Sequence, residues 1–260
     1  MKEKTIEKYK IKKVINNKVQ NIKDSVIKEQ PLTIFVNGYE LVTLMTLPLN
    51  LKELAIGFIA SENIIDGYNE IEKIDFSHQN TIVQIKLNKE VDINLYKKRT
   101  LTSGCGKGVT FTNLQDCALN EIHNDNFRIN STIINQLMSE MQKKSKLFLE
   151  TGGTHTAAIA DQESIINVIE DIGRHNTIDK LIGYSYVNNI DLQNMMIITS
   201  GRVSSEIMIK ILKQKIPILI SRSAPTSQAV EIAREKNISL IGFTRGKRFN
   251  IYNDLNRIMI

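Results

Sequence analysis

The sequence predicts an α/β protein in which a C-terminal half with parallel strands follows a smaller α+β unit. The main observation is that three short apolar segments alternate with two helical segments near the C-terminus, because strand, helix, strand, helix, strand implies parallel pairing through right-handed crossovers. A second observation is Asn37-Gly38 between two β-branched segments, which is a strong hairpin signal. The third is composition, since 42% hydrophobic and 24% charged residues among 260 are typical of a globular protein.

The first 130 residues are predicted to form a small mixed α+β domain of two hairpins and one helix. Asn50 and Glu53 have the spacing of a capping box, with Asn in the Ser/Thr role, so a helix is expected to begin there. Apolar residues at helical intervals follow it. The predicted strands of the two hairpins are residues 32–36, 40–45, 71–76 and 81–87.

A mobile loop is predicted within this domain, at about residues 101–110. Three glycines in five positions and the lack of a hydrophobic period indicate the loop, and Cys105 lies between two of these glycines. Lys107 and Arg99 are close in sequence, and a nearby cation favours the thiolate over its reference pKa of about 8.5. Cys105 is therefore the candidate nucleophile or sulfur carrier, whereas Cys117, in an apolar segment, is more typical of a small buried side chain.

Residues 131–260 are predicted to form a second, α/β domain. Its first helix is expected over residues 130–147, with Ser131 or Thr132 as the N-cap. The other predicted helices are residues 176–187, 204–213 and 226–236, and the predicted strands are residues 155–160, 164–170, 195–198, 216–220 and 238–243.

Arginine accompanied by small or hydroxyl residues follows each of the three predicted parallel strands, in segments 199–202, 221–223 and 243–248. Ligands of open parallel sheets bind outside the carboxyl ends of the strands, and guanidinium groups with hydroxyl and backbone donors suit phosphate. The pattern predicts an anion site at these strand ends, against the alternative of ordinary surface arginines. Phe243 either stacks on a base or ends its strand, and the sequence leaves both interpretations open.

Two carboxylates, an arginine and an imidazole lie within Glu-Asp-Ile-Gly-Arg-His at residues 170–175, a predicted strand-to-helix junction. The grouping is consistent with acid–base chemistry. It is equally consistent with a structural role in which Asp171 or Asn176 caps the helix and Arg174 pairs with a carboxylate. The same two interpretations apply to His155, which follows a Gly-Gly pair.

Composition and charge exclude several classes of protein. No apolar run approaches the roughly 18 residues of a membrane span, and the charged N-terminus is not followed by an apolar stretch typical of a signal peptide, so we expect a cytoplasmic protein without a membrane partner. Two cysteines cannot form a disulfide framework or a four-ligand structural zinc site, so no structural metal is expected. The net charge of +6 suits an anionic ligand or simply a solvated surface.

Together these residues resemble the formate dehydrogenase accessory sulfurtransferases, the FdhD family, over roughly residues 30 to 252. The motifs that carry the resemblance are Thr-Ser-Gly-Cys-Gly at 102–106, Thr-Gly-Gly-Thr-His at 151–155, Glu-Asp-Ile-Gly-Arg-His at 170–175, Asp-Lys at 179–180, Ser-Gly-Arg-Val-Ser-Ser-Glu at 200–206, Ser-Arg-Ser-Ala-Pro-Thr at 221–226 and Gly-Phe at 242–243.

The resemblance implies a cytoplasmic sulfur carrier that receives persulfide sulfur from a cysteine desulfurase and passes it to the molybdenum (or tungsten) bis(molybdopterin guanine dinucleotide) cofactor of formate dehydrogenase. It also implies a homodimer and a three-layer, cytidine-deaminase-like C-terminal domain. The persulfide cysteine of the family corresponds to Cys105. The cofactor-binding segment of the family corresponds to Phe243, Thr244, Arg245, Gly246, Lys247 and Arg248.

The chain departs from the family pattern at one informative position. Many members carry Cys-x-x-Cys in the loop, whereas here Gly108 occupies the second cysteine position, so a resolving thiol is absent from the loop. The zinc signature of true deaminases is also missing. Two other classes stay open: a cofactor-binding chaperone or nucleotide-binding regulator that does not need the thiol, and a weak, salt-sensitive nucleic-acid binder, for which we find no recognition motif.

Overall fold

The computed structural model describes residues 5–77, 79–91, 100–101, 109–110, 122 and 127–260. Cys105, Cys117 and most of the predicted mobile loop lie outside the described residues. None of the helices within the described ranges is long and apolar enough to cross a membrane.

A long antiparallel hairpin opens the chain and was not predicted from the sequence. Strand β1 (Ile6–Ile15) pairs with strand β2 (Lys18–Ile27) through a turn at Asn16 and Asn17, both at positive φ. Most of its side chains are exposed. Its base contacts the second half of the chain, since the Ser25 hydroxyl donates to a Glu150 carboxylate oxygen at 3.2 Å.

A four-stranded sheet confirms both predicted hairpins. Its strands are β3 (Gln30–Val36), β4 (Tyr39–Thr46), β5 (Ile71–Ser77) and β6 (Ile82–Leu87), in the order β4-β3-β6-β5. Asn37 and Gly38 form the β3–β4 turn with φ of 48° and 84°, the left-handed conformations that this dipeptide favours.

Helix α1 (Leu51–Ser61) forms where expected, but the predicted capping box is wrong. Asn50 adopts a left-handed conformation with φ 53° and makes no side-chain cap hydrogen bond. Asparagine reaches this conformation more easily than other side chains, so here it turns the chain into the helix instead of capping it. The short paired strands β7 (Thr100–Leu101) and β8 (Val109–Thr110) are the next described elements.

The second half of the chain begins with strand β9 (Ile129–Asn130) and helix α2 (Ser131–Lys144). The N-cap is Asn130, whose Oδ1 accepts from the Thr132 amide at 2.9 Å, so the predicted caps at Ser131 and Thr132 were one and two residues late. The predicted single helix is interrupted at Ser145, where helix α3 (Lys146–Thr151) starts. Asn130 caps the helix because its carboxamide reaches the free amides of the first turn.

A six-stranded sheet organises the C-terminal half. The strands are β10 (His155–Ala160), β11 (Ile165–Asp171), β12 (Met196–Thr199), β13 (Ile218–Ser221), β14 (Ser239–Arg245) and β15 (Arg248–Asn253), in the order β11-β10-β12-β13-β14-β15. The predicted parallel pairing of β12, β13 and β14 is confirmed, whereas the other three strands run antiparallel to their neighbours. A short strand β16 (Ile258–Met259) pairs with β9.

Helices lie on both faces of this sheet. Helices α4 (Arg174–Val187), α5 (Ser205–Lys213) and α6 (Ser227–Glu235) pack on the face that carries Ile159, and helix α2 packs on the face that carries Ala158. Strand residues alternate between the two cores, as the period of two requires. The α/β class is therefore confirmed, and the specific cytidine-deaminase-like arrangement stays a prediction.

The two halves of the chain meet where α1 crosses α4 through Gly57 and Gly183. A Cβ atom built on Gly57 would lie 1.7 Å from the Asp179 carbonyl oxygen, and one built on Gly183 would lie 1.9 Å from the Glu53 carbonyl oxygen. The core beneath this crossing includes side chains of both sheets. The domain boundary proposed between residues 130 and 131 stays a prediction.

Candidate functional site

The carboxyl ends of β12, β13 and β14 bring the three predicted arginine segments side by side. Thr199 and Ser221 are register partners at the ends of β12 and β13. The Arg222 amide donates to the Thr199 carbonyl at 2.9 Å, and the Phe243 amide donates to the Ser223 carbonyl at 3.0 Å. Backbone hydrogen bonds thus join the three segments into one edge of the sheet.

Hydroxyl groups at this edge are used to fold the loops. Ser221 Oγ donates to the Gly201 carbonyl at 2.7 Å, and the Gly201 amide donates to Thr199 Oγ1 at 3.1 Å. The Thr156 amide donates to Ser200 Oγ at 2.9 Å. The hydroxyls therefore fix the backbone, which leaves the guanidinium groups as the main groups of the edge able to receive a ligand.

The guanidinium groups of Arg202 and Arg222 are exposed and make no hydrogen bond or ion pair with any residue that the structure describes. Arginine presents five donors in a rigid fork suited to phosphate or carboxylate oxygens. Two such side chains on adjacent loops form a positively charged rim at the end of the sheet.

The segment from Phe243 to Arg248 differs from the expected open loop. Arg245 and Arg248 are register partners, so the segment is a tight hairpin between β14 and β15 with Gly246, at φ 60°, in its turn. Phe243 also has a positive φ, 52°, at a register shift in β14. Its ring is half-buried and lies 5.7 Å from the Arg245 guanidinium carbon, and Arg245 Nε donates to the Arg222 carbonyl at 3.2 Å.

Thr244 is fully buried in this hairpin. Its Oγ1 has no hydrogen-bond partner in the described part of the chain. Nearly all buried hydroxyl groups in proteins have a hydrogen-bond partner, so the Thr244 hydroxyl is an exception. Because Thr244 has no exposed surface, a ligand at the hairpin would not reach this hydroxyl, and the binding role of residues 243–248 stays a prediction.

A second polar cluster lies at the N-terminus of α4. It is next to the sheet edge that carries the three arginine segments after β12, β13 and β14, here called the arginine edge. His175 Nε2 lies 2.9 Å from a Glu206 carboxylate oxygen and 3.5 Å from Ser204 Oγ. A Cβ atom built on Gly201 would lie 3.0 Å from the Arg174 Cβ, so α4 packs closely on the loop after β12.

His155 lies at the start of β10 and faces this cluster. Burial and the positive charges of Arg174, His175 and Arg202 lower the pKa of its imidazole below the usual 6.5, and the Asp171 carboxylate opposes this shift. The imidazole is therefore neutral at physiological pH and can accept a proton when the surrounding charge changes.

The carboxylates of Glu170 and Asp171 serve the structure. Glu170 accepts from the amides of Leu147 and Phe148 at the start of α3, at 3.0 and 2.7 Å. Asp171 is fully buried, pairs with Lys180 at 2.5 Å and accepts from Asn176 Nδ2 at 2.8 Å. A structural role is therefore supported for these two residues, but the predicted cap is wrong: the N-cap of α4 is Gly173, and neither Asp171 nor Asn176 makes a side-chain cap hydrogen bond to the helix.

A cleft of about 460 Å³ lies between α2, α3 and the ends of β10, β12 and β13. It is lined by Met141, Gln142, Ser145, Phe148, Leu149, Gly152, Gly153, Thr154, His155, Thr156, Ile172, Ser200 and Arg222. The sequence did not reveal the apolar side chains of α3 that line this cleft, because the predicted helix continued through Ser145. Three consecutive apolar residues at 147–149 were the available signal, since they cannot all face one core.

No group of three or more potential His, Cys, Asp or Glu metal ligands occurs among the described residues. Cys105, the predicted sulfur-carrying residue, lies outside them.

The chain is an α/β protein with helices on both faces of its six-stranded sheet. Arginines follow the carboxyl ends of β12, β13 and β14, where they form a candidate site for an anionic ligand. The chain belongs to the FdhD/NarQ family, whose family model matches residues 27–259. The predicted family resemblance is therefore confirmed.

Relatives cover almost the whole chain. It is 43% identical to the sulfur carrier protein FdhD of Bacillus pumilus over 237 residues, which span 90% of each protein. It is 41% identical to the sulfur carrier protein FdhD of Bacillus licheniformis, across 96% of this chain and 95% of that protein. The crystal structure of a candidate formate dehydrogenase accessory protein from Desulfotalea psychrophila matches with a TM-score of 0.80 at 23% identity, covering 98% of this chain and 100% of that one. At that identity the structural match supports the fold alone.

Proposed function

We propose that the chain is a sulfurtransferase that carries persulfide sulfur on Cys105 and supports the maturation of formate dehydrogenase. A cysteine desulfurase would load Cys105, and the sulfur would pass to the molybdenum (or tungsten) bis(molybdopterin guanine dinucleotide) cofactor before its insertion. The observation that carries this proposal is the 43% identity to a sulfur carrier protein over 90% of the chain, with Cys105 between two glycines in this sequence.

The chemistry requires only one cysteine. The Cys105 thiolate attacks the terminal sulfur of the desulfurase persulfide, so that a new S–S bond forms and the desulfurase thiolate leaves. In the second step the outer sulfur forms a bond to the substrate metal as the S–S bond breaks. The Cys105 thiolate leaves with the S–S bonding pair, and the transferred sulfur is reduced to sulfide while the metal is oxidised by two electrons. Gly108 in the second cysteine position is therefore compatible with transfer, because neither step uses a resolving thiol.

The arginine edge would hold the anionic substrate. The cofactor carries diphosphate groups, which match the exposed guanidinium forks of Arg202 and Arg222 and the hairpin from Phe243 to Arg248. The site would thus bind the nucleotide arms, and Cys105 would supply the sulfur.

The sulfur-carrying role is tested by mass spectrometry after incubation with a cysteine desulfurase and cysteine. We expect a gain of one sulfur mass on Cys105, and loss of formate dehydrogenase activity in a deletion strain complemented with Cys105→Ser. Cys117→Ser is the matched control and should complement fully. Full complementation by Cys105→Ser would refute the role of the thiol.

Binding at the edge is tested separately by titration calorimetry with GDP. Arg245→Glu should weaken GDP binding, because it reverses a charge on the hairpin, whereas Arg234→Glu, in the last turn of α6 and so at the end of the helix away from the arginine segments, should not. Unchanged GDP affinity in Arg245→Glu would place the nucleotide site elsewhere.

The alternative function is a chaperone that binds the guanine dinucleotide cofactor without covalent sulfur transfer. The loop sequence has one cysteine, so a mechanism that passes sulfur between two loop thiols is not available, and this favours the chaperone over such a mechanism. Alkylation of Cys105 separates the two functions, since a chaperone would keep its activity after alkylation. A homodimer, as the family resemblance implies, is compatible with both.

A further inference from the structure

The cleft beside α3 is adjacent to the hairpin from Phe243 to Arg248 but separate from it. None of residues 243–248 lines the cleft, and the two are connected through Arg222, whose carbonyl accepts from Arg245 Nε. The volume of about 460 Å³ lies within the range of small-molecule sites.

The lining of the cleft is divided into an apolar wall and a polar floor. Met141, Phe148 and Leu149 form the wall, and Phe148 and Leu149 are 44% and 67% exposed, so their apolar surfaces remain available for contact. The floor carries His155, Ser200 and Arg222. Such an arrangement suits a flat or apolar group joined to an anion.

The floor has an excess of positive charge. The side chains of His155 and Arg222 have no hydrogen bond or ion pair within the ranges that the structure describes. The nearby carboxylates are already engaged. Glu170 binds the amides of α3, Asp171 pairs with Lys180, and Glu206 lies against His175.

We propose that this cleft binds a diphosphate group and that His155 takes up a proton as the anion binds. Only the identity of the natural ligand, a nucleotide arm of the cofactor, rests on the proposed function. Arg222 and the protonated imidazole donate to the diphosphate oxygens, and the apolar wall receives the group attached to the diphosphate. His155 thereby becomes a ligand-binding residue beyond those predicted from the sequence.

The direction of proton transfer follows from the groups that face His155. These groups are Asp171 on β11, Arg174 and His175 on α4, and Arg202 after β12. In the free protein, burial and the charges of Arg174 and Arg202, with a contribution from His175, keep the pKa of His155 below 6.5, so the ring is neutral at pH 7. A bound diphosphate places negative charge beside the ring and raises this pKa, so binding takes up a proton from solvent. The contribution of His155 to anion affinity therefore increases as the pH falls through the pKa that the imidazole has in the complex.

The test uses inorganic pyrophosphate as the probe and the full-length protein. Calorimetric titrations in buffers with different ionisation enthalpies measure the number of protons taken up on binding. We compare the parent protein with His155→Gln, Arg222→Gln and, as a control, Arg234→Gln, which lies on helix α6 away from the cleft. The titration of pyrophosphate itself is common to all four proteins and cancels in the comparison.

We expect His155→Gln to lose proton uptake and Arg222→Gln to weaken pyrophosphate binding about tenfold, the loss of one charge-assisted contact. The control should behave as the parent protein. As a second measurement, the imidazole resonances of His155 should show a higher pKa with pyrophosphate than without it, which does not depend on any variant.

Absence of pyrophosphate binding, or equal proton uptake by the parent protein and His155→Gln, would overturn the proposal. A failure of sulfur transfer is distinguishable, because Cys105→Ser should keep the pyrophosphate response in full. Phe148→Ala should weaken the binding of GDP and leave pyrophosphate binding unchanged, and equal losses for both probes would contradict the assigned role of the apolar wall.

Discussion

The crossing of helices α1 and α4 permits a sharp test of how the two halves of the chain are joined. In Gly57→Ala the new methyl group would lie 1.7 Å from the Asp179 carbonyl oxygen and 2.7 Å from the Gly183 nitrogen. Both contacts are with backbone atoms, which cannot rotate away as a side chain does. The helices must therefore separate by roughly 1.5 Å to restore ordinary van der Waals distances.

The expected loss of stability is large for a single methyl group. Overpacking typically costs about 1–3 kcal/mol, and a clash with rigid backbone belongs at the upper end of that range or above it. Because about 1 kcal/mol lowers the Tm of a protein of this size by about 2–4 °C, we expect Gly57→Ala to lower the Tm by about 6–12 °C.

The assay is urea and thermal unfolding followed by circular dichroism. Gly152→Ala is the matched control, because Gly152 has φ 67° and open space around it, so alanine there costs only about 1–2 kcal/mol of backbone strain. Gly183→Ala should resemble Gly57→Ala, and the double variant should lose much less than the sum, since the helices separate only once. Additive losses, or a loss in Gly57→Ala no greater than in the control, would refute the close crossing.

Three further predictions concern the buried polar groups and the pH response. Asp171→Asn should destabilise the protein by about 3–5 kcal/mol in urea unfolding, because it leaves the Lys180 ammonium without its buried partner, and adding Lys180→Met should recover much of that loss. Thr226→Ala should cost about 1 kcal/mol in the same assay, since the Thr226 hydroxyl oxygen caps α6 by accepting from the Ala229 amide; no change would contradict the cap. The folded state lowers the pKa of His155, so the unfolded state binds more protons, and the free energy of unfolding should fall as the pH drops below 6.5. Urea unfolding at several pH values should show that the contribution of His155 to this pH dependence disappears in His155→Gln.

Elements with a strong local signal were the ones that the sequence could predict. Asn37-Gly38 determines its own turn through left-handed conformations, and the parallel strands β12 to β14 are continuous apolar runs between helices. The hairpin of β1 and β2 escaped prediction because lysines occupy four of the ten positions of β1 and few side chains of either strand are buried. Burial patterns cannot reveal a strand that has little buried surface.

The candidate site was predictable in its location but not in its detailed geometry. The rule that ligands bind at carboxyl strand ends placed Arg202 and Arg222 correctly on one edge. The hairpin of β14 and β15 was missed, because the basic residues from Arg245 to Arg248 have no alternating hydrophobic pattern. The cleft requires the break at Ser145 and the packing of α3 against the sheet, which are tertiary features.

The distribution of charge argues that the edge is adapted to a ligand. In the buried interior the protein pairs its charges closely, Asp171 with Lys180 at 2.5 Å and Asp179 with Lys210 at 2.6 Å. At the arginine edge, by contrast, the hydroxyl groups hydrogen-bond to the backbone of the loops, and the guanidinium groups of Arg202 and Arg222 have no ion-pair partner among the described residues. Clustered like charges repel one another, so an arrangement that keeps them together without carboxylates is stabilised when an anion binds between them. The same repulsion explains why His155 is neutral in the free protein, because a protonated imidazole would add a further positive charge beside these arginines when no anion is bound.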